Sequence, residues 1–246
     1  MKLRVSKRQI ILLNVVKMGN DEKKNDSIDK KQKNITEDES IASLAVSTEK
    51  PVIIRSMELM IENLLSNVAH MKEHYEYVQQ VRDRLMEDIL NNKRIYILAS
   101  GRSAMVGQMF QTRLEHFGVE CRFITNTRSV PRLREGDTII VISGSGTTPI
   151  VEAMLETYLV YNPFVIVITS YPNSVIGRLG DVTVKLKGRT KSDMERRDKG
   201  LDSTLAPEGT AFEQAALAFL DGIIAELAVS LHRDEKSLLD EHNQAL

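Results

Sequence analysis

The sequence predicts an α/β fold in which a parallel sheet is covered by helices on both faces. From residue 94 onward, short runs rich in Val and Ile alternate with segments of helical periodicity, the pattern of βαβ units. These runs are continuously apolar, as expected of strands that are buried on both faces. Two of them, "RIYILAS" and "DTIIVIS", lead directly into turns rich in Ser and Gly. Because the carboxyl ends of parallel strands share one edge, both turns should lie on the same rim.

The first half of this pattern begins with helix. Apolar residues at three- and four-residue spacing predict a helix over 54–93 with one break. A strand is predicted at 94–100, then a loop and helix over 101–118 that ends at Gly118, then a strand at 119–125.

The second half repeats the alternation. Strands are predicted at 137–143, 164–170 and 181–187, with a helix over 149–162 between the first two. A short helix over 173–180 should precede the third of these strands. A polar loop at 188–205 and a long helix over 207–231, which starts with Pro207, complete the pattern.

The first 50 residues differ in composition from the rest. Residues 19–40 are polar and charged with almost no large apolar side chains, so they cannot bury enough surface to order themselves. We therefore expect a poorly ordered extension at 1–50 and one domain at 51–246. A start codon set too early and a regulatory or partner-binding tail are both open explanations of the extension.

Composition excludes several classes of function. A formal net charge of −1 argues against a general nucleic-acid binder, which would be strongly basic. The single cysteine, Cys121, can form neither an intramolecular disulfide nor a thiolate metal site, and it fits a reducing cytoplasm. The longest apolar stretch, residues 215–231, contains Asp221 and Glu226, which count against a membrane span.

The turn after the strand at 137–143 predicts a phosphate site. A Gly-rich turn that enters a helix directs several backbone N–H groups at one point, where the helix dipole favours an anion. The turn contains no Lys, so it is not a P-loop, and it lacks the third glycine of a dinucleotide fingerprint. A sugar monophosphate fits better than a nucleotide, although an ordinary βα turn is the alternative. The candidate residues of this turn are Ser143, Gly144, Ser145, Gly146, Thr147 and Thr148.

The last helix contains a carboxylate on an apolar face. At 100° per residue, Glu213 shares a face with Leu217, Leu220, Ile224 and Leu227. A carboxylate among apolar side chains is costly unless it is paired or serves chemistry. Burial would raise its pKa toward that of a general base. The alternative, a Glu paired with an Arg or with backbone amides, is equally compatible with the sequence.

Two further groups are ambiguous. Arg102 follows the first strand and can contact a phosphate or sugar hydroxyls, or pair with a carboxylate across a subunit contact. His70 and His74 share a helical face, but the sequence lacks the H-E-x-x-H pattern of a zinc site. We therefore expect a solvated helix face there, and no metal.

Several segments resemble the SIS (sugar isomerase) domain family in order and spacing, over residues 56–246. They are "ASGRS", "VISGSGTT", "VIVITSYPNS", "LKGRTK" and "LAPEGTAFEQAALAFLDGIIAEL". The "GRTK" and "APEGTAFE" segments, with a Glu-His-Asn near the end of the chain, are more similar to the 6-phospho-3-hexuloisomerase branch.

This resemblance implies a flavodoxin-like three-layer fold with a five-stranded parallel sheet, and a homotetramer. It also implies a cofactor-free, metal-free isomerase that interconverts a phosphorylated ketohexose, 3-hexulose 6-phosphate, with fructose 6-phosphate. The family's phosphate-binding residues correspond to Ser103, Ser143, Ser145 and Thr148, and its proton-transfer glutamate to Glu213. Its closing histidine corresponds to His242, which we expect to assist ring opening. We also expect functional coupling to a hexulose-phosphate synthase, and we expect the protein to bind neither nucleic acid nor a membrane.

One stretch departs from the branch. "NTRSVPRL" (126–133) stands where the branch has a Gly-Glu-Thr-Thr-Thr-Pro stretch, which places Arg128 and Arg132 near the rim. Two alternatives therefore remain open: an isomerase for a different phosphosugar, and a non-catalytic SIS sensor of a sugar phosphate. The sensor usually carries a helix-turn-helix domain of about 75 residues, for which 50 residues are too few.

Overall fold

The computed structural model describes residues 50–124, 133–188, 205–206 and 209–232. These residues belong to the compact unit Lys50–Leu246. Residues 1–49 of the predicted extension at 1–50 lie outside the described residues, as do Arg128, Arg132 and His242.

Two helices precede the sheet, as the periodicity predicts. Helix α1 spans Val52–Glu73 and helix α2 spans Tyr75–Leu90. The predicted break falls at His74, whose φ of −127° and ψ of 43° are not helical. The apolar spacing places one stripe of α2, which includes Val78, Val81 and Leu85, in the core.

Five parallel strands form the sheet in the order β2-β1-β3-β4-β5. This order is that of flavodoxin, so the predicted five-stranded flavodoxin-like fold is confirmed. The strands are β1 (Ile95–Ala99), β2 (Cys121–Phe123), β3 (Thr138–Ile142), β4 (Phe164–Thr169) and β5 (Val182–Lys185). Helices α3 (Arg102–His116), α4 (Pro149–Leu159) and α5 (Thr210–Ser230) follow in the described part of the chain.

Two apolar cores lie on the two faces of the sheet. Helices α2, α3 and α5 cover one face and pack on alternate strand residues such as Ile97 and Ile140. Helix α4 covers the other face and packs on Leu98 and Val141. Because neighbouring strand residues point to opposite cores, every residue of β1 and β3 is buried, which explains the continuous apolar runs.

The long helix predicted from Pro207 begins at Thr210, after the N-cap Gly209, and the last strand has four residues where seven were expected. Two further elements differ from the sequence prediction. Strand β2 has three residues where seven were expected, since it is the edge strand and only Ile95, Tyr96 and Ile97 of β1 pair with it. The short helix expected at 173–180 is a 3₁₀ turn over Gly177–Leu179. Within the described ranges, no helix is long and apolar enough to cross a membrane.

Candidate active site at the carboxyl edge of the sheet

The two Ser/Gly turns meet at the carboxyl edge of the central strands. Strands β1 and β3 are neighbours, and the turns that follow them enter α3 and α4. These two helices lie on opposite faces of the sheet. The turns therefore flank the switch point of the strand order, where parallel α/β sheets bind ligands.

The turn after β3 brings three hydroxyl groups together. The Thr148 Oγ1 atom lies 3.2 Å from Ser143 Oγ and 3.4 Å from Ser145 Oγ. The Gly146 N–H donates to Ser143 Oγ at 3.2 Å, and the Thr147 N–H donates to Ser145 Oγ at 3.3 Å. These bonds fix the turn with its hydroxyl groups close together beside the start of a helix.

Helix α4 begins at this cluster with Pro149 in its first turn. Its N-cap, Thr148, makes no side-chain hydrogen bond to the helix, so its hydroxyl does not satisfy the free N–H groups there. Those N–H groups and the helix dipole favour an anion. The turn therefore offers neutral donors suited to a phosphate.

Glu213 faces this turn from the first turn of α5. The helix is preceded by Gly209 with a φ of +83°, a conformation that favours glycine. A β-carbon added to Gly209 would lie 2.9 Å from Glu213 Oε1, so the glycine also makes room for the carboxylate. The Arg102 Nε–H donates to Glu213 Oε2 at 2.7 Å, which joins α3 to α5. The Glu213 side chain is 13% exposed, whereas that of Arg102 is 61% exposed.

Burial raises the pKa of Glu213 above its ordinary value, although the charge of Arg102 and its hydrogen bond oppose the shift. A carboxylate with a raised pKa accepts a proton more readily than an exposed one. Arg102 keeps the ionised form accessible. The sequence left a pairing with Arg and a catalytic role as alternatives for Glu213, and the geometry combines the pairing with a raised pKa.

A cavity of about 380 Å³ lies between these groups. Six of its lining residues are candidates predicted from the sequence: Arg102, Ser103, Gly144, Ser145, Thr148 and Glu213. The other four were not predicted, and they are Ser100, Gly101, Gly209 and Phe212. The small residues gave no signal beyond the turn motif, and Phe212 was indistinguishable from a core residue because of its apolar side chain.

Three candidate residues of the turn do not line this cavity. Ser143 and Gly146 are buried, and Thr147 is exposed. Ser143 supports the turn through its bonds to Gly146 and Thr148. Since the cavity-lining hydroxyls of the turn are those of Ser145 and Thr148, they are best placed to contact a ligand directly.

A second cluster lies away from this edge, at the end of α1. Potential ligand atoms of His70, Glu73 and His74 lie within 4.8 Å of one another. The pKa of His70 is lowered, first by burial and then by the positive charges of His74, Lys187 and Lys185. The sequence lacks the H-E-x-x-H pattern of a zinc site here, and we assign no metal to this cluster.

A sequence profile of the SIS domain matches residues 88–217, more than half of the chain. The matched range includes both Ser/Gly turns and Glu213. The resemblance that the motifs indicated is therefore confirmed at the level of the family.

Curated relatives and solved structures add detail. A 3-hexulose-6-phosphate isomerase of Methanocaldococcus jannaschii is 32% identical over 160 residues, which cover 65% of this chain and 81% of the relative. A protein of the same name from Bacillus subtilis is 29% identical over 160 residues, which cover 65% of this chain and 84% of the relative. A crystal structure from Methanococcus jannaschii, for which a molecular function of 3-hexulose-6-phosphate isomerase was inferred, has a TM-score of 0.62 at 28% identity. That match covers 76% of this chain and 97% of the other.

Proposed function

The chain belongs to the SIS domain family, and from that premise we propose that it is a phosphosugar isomerase that interconverts 3-hexulose 6-phosphate and fructose 6-phosphate. The observation that carries the proposal is the single cavity lined by the hydroxyl turn and by Glu213. A phosphate anchor and a base on one cavity are the two groups that the reaction requires. The names of the relatives supply the choice of hexulose.

The phosphate of the substrate binds the turn after β3. Ser145 and Thr148 donate hydroxyl hydrogen bonds, joined by Ser103 from the other turn and by backbone N–H groups at the start of α4. Ser143 and Gly144 shape the turn. Hydrogen bonds to a charged acceptor contribute about 1.5–3 kcal/mol each, so a few neutral donors suffice to anchor a phosphate monoester.

Glu213 transfers the proton. In the direction from fructose 6-phosphate, its carboxylate removes the proton from C3, the electron pair forms the C2=C3 bond, and O2 gains a proton to give a 2,3-enediol. Loss of the O3 proton rebuilds a carbonyl at C3 while Glu213 returns its proton to C2. The substrate and the product have the same oxidation state, so the step requires no cofactor.

Arg102 modulates the pKa of this base. Its guanidinium is bonded to Glu213 and is largely exposed at the cavity. It offsets part of the effect of burial on the pKa of Glu213, and so favours the ionised carboxylate, the form that accepts a proton. Its remaining N–H groups can donate to sugar oxygens.

We also propose that the protein acts as a homotetramer in the cytoplasm. Helix α1 exposes an apolar stripe whose members are each more than half exposed: Ile53, Met57, Ile61, Leu65 and Val68. Stripes of this kind usually mark contacts between proteins. Static light scattering at micromolar concentration should give a tetramer, and a monomer would contradict the assembly. Coupling to a hexulose-phosphate synthase that supplies the substrate completes this part of the proposal.

His242 is proposed to donate a proton to the ring oxygen of cyclic fructose 6-phosphate. An unperturbed imidazole, with a pKa of about 6.5, can donate and recover a proton near neutral pH. Truncation after Asp240, with the oligomer verified, should lower kcat for the cyclic substrate. Unchanged kcat would remove His242 from the mechanism.

The proposed function is tested by NMR with fructose 6-phosphate. The protein should produce signals of 3-hexulose 6-phosphate until equilibrium is reached, at a rate proportional to protein concentration. Glucose 6-phosphate and arabinose 5-phosphate are tested in parallel as alternative substrates. Turnover of another phosphosugar alone would overturn the choice of hexulose, and binding of every ester without turnover would indicate a sensor.

A further inference from the structure

A buried amide on α1 holds the chain just after β5. Asn67 is 6% exposed, which is unusual for Asn. Its Nδ2 donates to Lys187 O at 2.8 Å and to Asn63 O at 2.9 Å, and its Oδ1 accepts from Lys187 N at 2.6 Å. Both amide hydrogens and the oxygen are thus satisfied. The side chain pairs with the backbone of Lys187 as a neighbouring strand would.

The residue that follows Lys187 contacts the first turn of α5, the helix that contains Glu213. Gly188, which follows Lys187, lies so close to α5 that an added β-carbon would be 2.6 Å from Phe212 N. Only a glycine permits this contact between two backbones. The position of Lys187 therefore determines the position of Phe212, the residue directly before Glu213.

A second amide on the same face of α1 reaches α5 directly. Asn63 lies one helical turn before Asn67, and its Nδ2 donates to Ala211 O at 3.0 Å. Ala211 is two residues before Glu213 and belongs to the first turn of α5. The two amides thus hold the start of α5 by two routes: one through Gly188 and one through Ala211.

Packing alone does not explain a buried Asn at this position. An apolar side chain would fill the space beside Met60 and Ala211, but it would leave the backbone N–H and C=O groups of Lys187 without the partner that Asn67 provides. A buried amide gives a net stability of only about 0.5–1.5 kcal/mol per hydrogen bond. The amide adds a geometric constraint, because its bonds to Lys187 allow only one register of the chain.

We propose that Asn67, supported by Asn63, is a positioning residue for Glu213, because it fixes the backbone against which the first turn of α5 rests. The inference rests on the proposed function, in which Glu213 is the base. The phosphate turn lies on other elements, after β1 and β3. A loss of positioning should therefore lower proton transfer and leave phosphate binding intact, since misplacing a catalytic group by about 1 Å can cost as much as 100-fold in rate.

The test uses Asn67→Ala in the full chain, with fructose 6-phosphate as the substrate. We expect kcat to fall about tenfold or more while KM changes less than about threefold. The acidic limb of the pH profile of kcat should shift as well, because the burial of Glu213 changes. The control, matched for Tm, is Val81→Ala. This core truncation on α2 leaves the polar contacts of Asn67 and of α5 unaltered. Should Asn67→Ala fail to fold, Asn63→Ala carries the same expectation.

The outcomes separate this inference from the proposed function. If the folded Asn67→Ala protein keeps the kcat and pH profile of Val81→Ala, Asn67 is only structural and the inference is overturned. If Glu213→Gln turns over at the wild-type rate, the proposed base is wrong. If no hexulose phosphate reacts, a ¹³C NMR titration of the Glu213 carboxyl in wild type and Asn67→Ala decides the positioning. A shifted titration supports it, and an identical one refutes it.

Discussion

Two carboxylates at opposite edges of the sheet each pair with an arginine, and they serve different purposes. Asp88 lies at the amino edge and Glu213 at the carboxyl edge. Burial raises the pKa of both, that of Asp88 to about 6. By the criterion of a perturbed carboxyl group alone, the two would be equal candidates for a catalytic base.

The pair at the amino edge is locked in place. Asp88 is fully buried, and its partner Arg84, 15% exposed, places Nη2 at 2.9 Å from Asp88 Oδ1. Arg84 also donates to Thr138 Oγ1 at 2.8 Å and to Gly136 O at 2.6 Å. Its guanidinium lies 4.5 Å from the centre of the Phe164 ring. Through these contacts Arg84 joins α2 to the starts of β3 and β4.

The pair at the carboxyl edge is accessible to a ligand. Arg102 is 61% exposed, and it shares with Glu213 a cavity lined by hydroxyl groups. The comparison teaches that a raised pKa marks a site only where the partner is free to meet a ligand and where anchoring groups lie near. Asp88 meets neither condition.

The sharpest way to break this comparison is to change each carboxylate to its amide. Glu213→Gln keeps the shape and removes the base, so kcat should fall about 10²–10⁴-fold. Asp88→Asn should leave kcat of the folded protein within about twofold. Steady-state kinetics on both variants measures the difference. Equal losses of kcat in the two variants would contradict the assignment of the base to the carboxyl edge alone.

The opposite asymmetry is expected for stability. Asp88→Ala leaves the Arg84 charge buried without its partner and should lower the free energy of unfolding by about 3–5 kcal/mol. Glu213→Ala should cost much less, because Arg102 can turn to solvent. Urea unfolding at neutral pH measures both. A larger loss for Glu213→Ala would reverse the assignment of the structural pair.

The pH dependence of stability should follow Asp88. Its folded pKa of about 6 exceeds the ordinary value of 3.8, so the folded state holds this proton where the unfolded state releases it. The resulting stability is present below about pH 4 and is lost as the pH rises through 6, about 3 kcal/mol in total. Asp88→Asn should remove that part of the slope. Urea midpoints at pH 4.5 and 7 test this, and an unchanged slope in the variant would refute the contribution of Asp88.

The smallest predicted effect lies in the phosphate turn. Ser145→Ala removes one hydroxyl donor, and the loss of a hydrogen bond to a charged acceptor costs about 1.5–3 kcal/mol. KM for the phosphorylated sugar should rise at least about tenfold, with the far-UV circular dichroism unchanged. Thr147→Ala, on the exposed hydroxyl outside the cavity, is the control. An unchanged KM for Ser145→Ala would remove this residue from the phosphate site.

How far the sequence predicts the molecule depends on the range of the interaction. Local sequence patterns predict the strands, the helices and the two Ser/Gly turns. The parallel order of the strands places both turns on one edge of the sheet. The bond from Arg102 to Glu213 joins residues 111 positions apart, and that from Asn67 to Lys187 spans 120. No periodicity encodes such pairs. The two Asn residues on one face of α1, Asn63 and Asn67, were the available signal for the second, since a buried amide must find partners.

The central claim is that Glu213 transfers the proton at the carboxyl edge. Solvent exchange tests it most directly: fructose 6-phosphate is incubated in deuterium oxide with wild type, Glu213→Gln or Asp88→Asn, and deuterium at C2 and C3 is followed by NMR. We predict incorporation with wild type and Asp88→Asn, and none with Glu213→Gln, although that variant still binds the phosphorylated sugar. Exchange at the wild-type rate in Glu213→Gln would contradict the claim and place the base elsewhere.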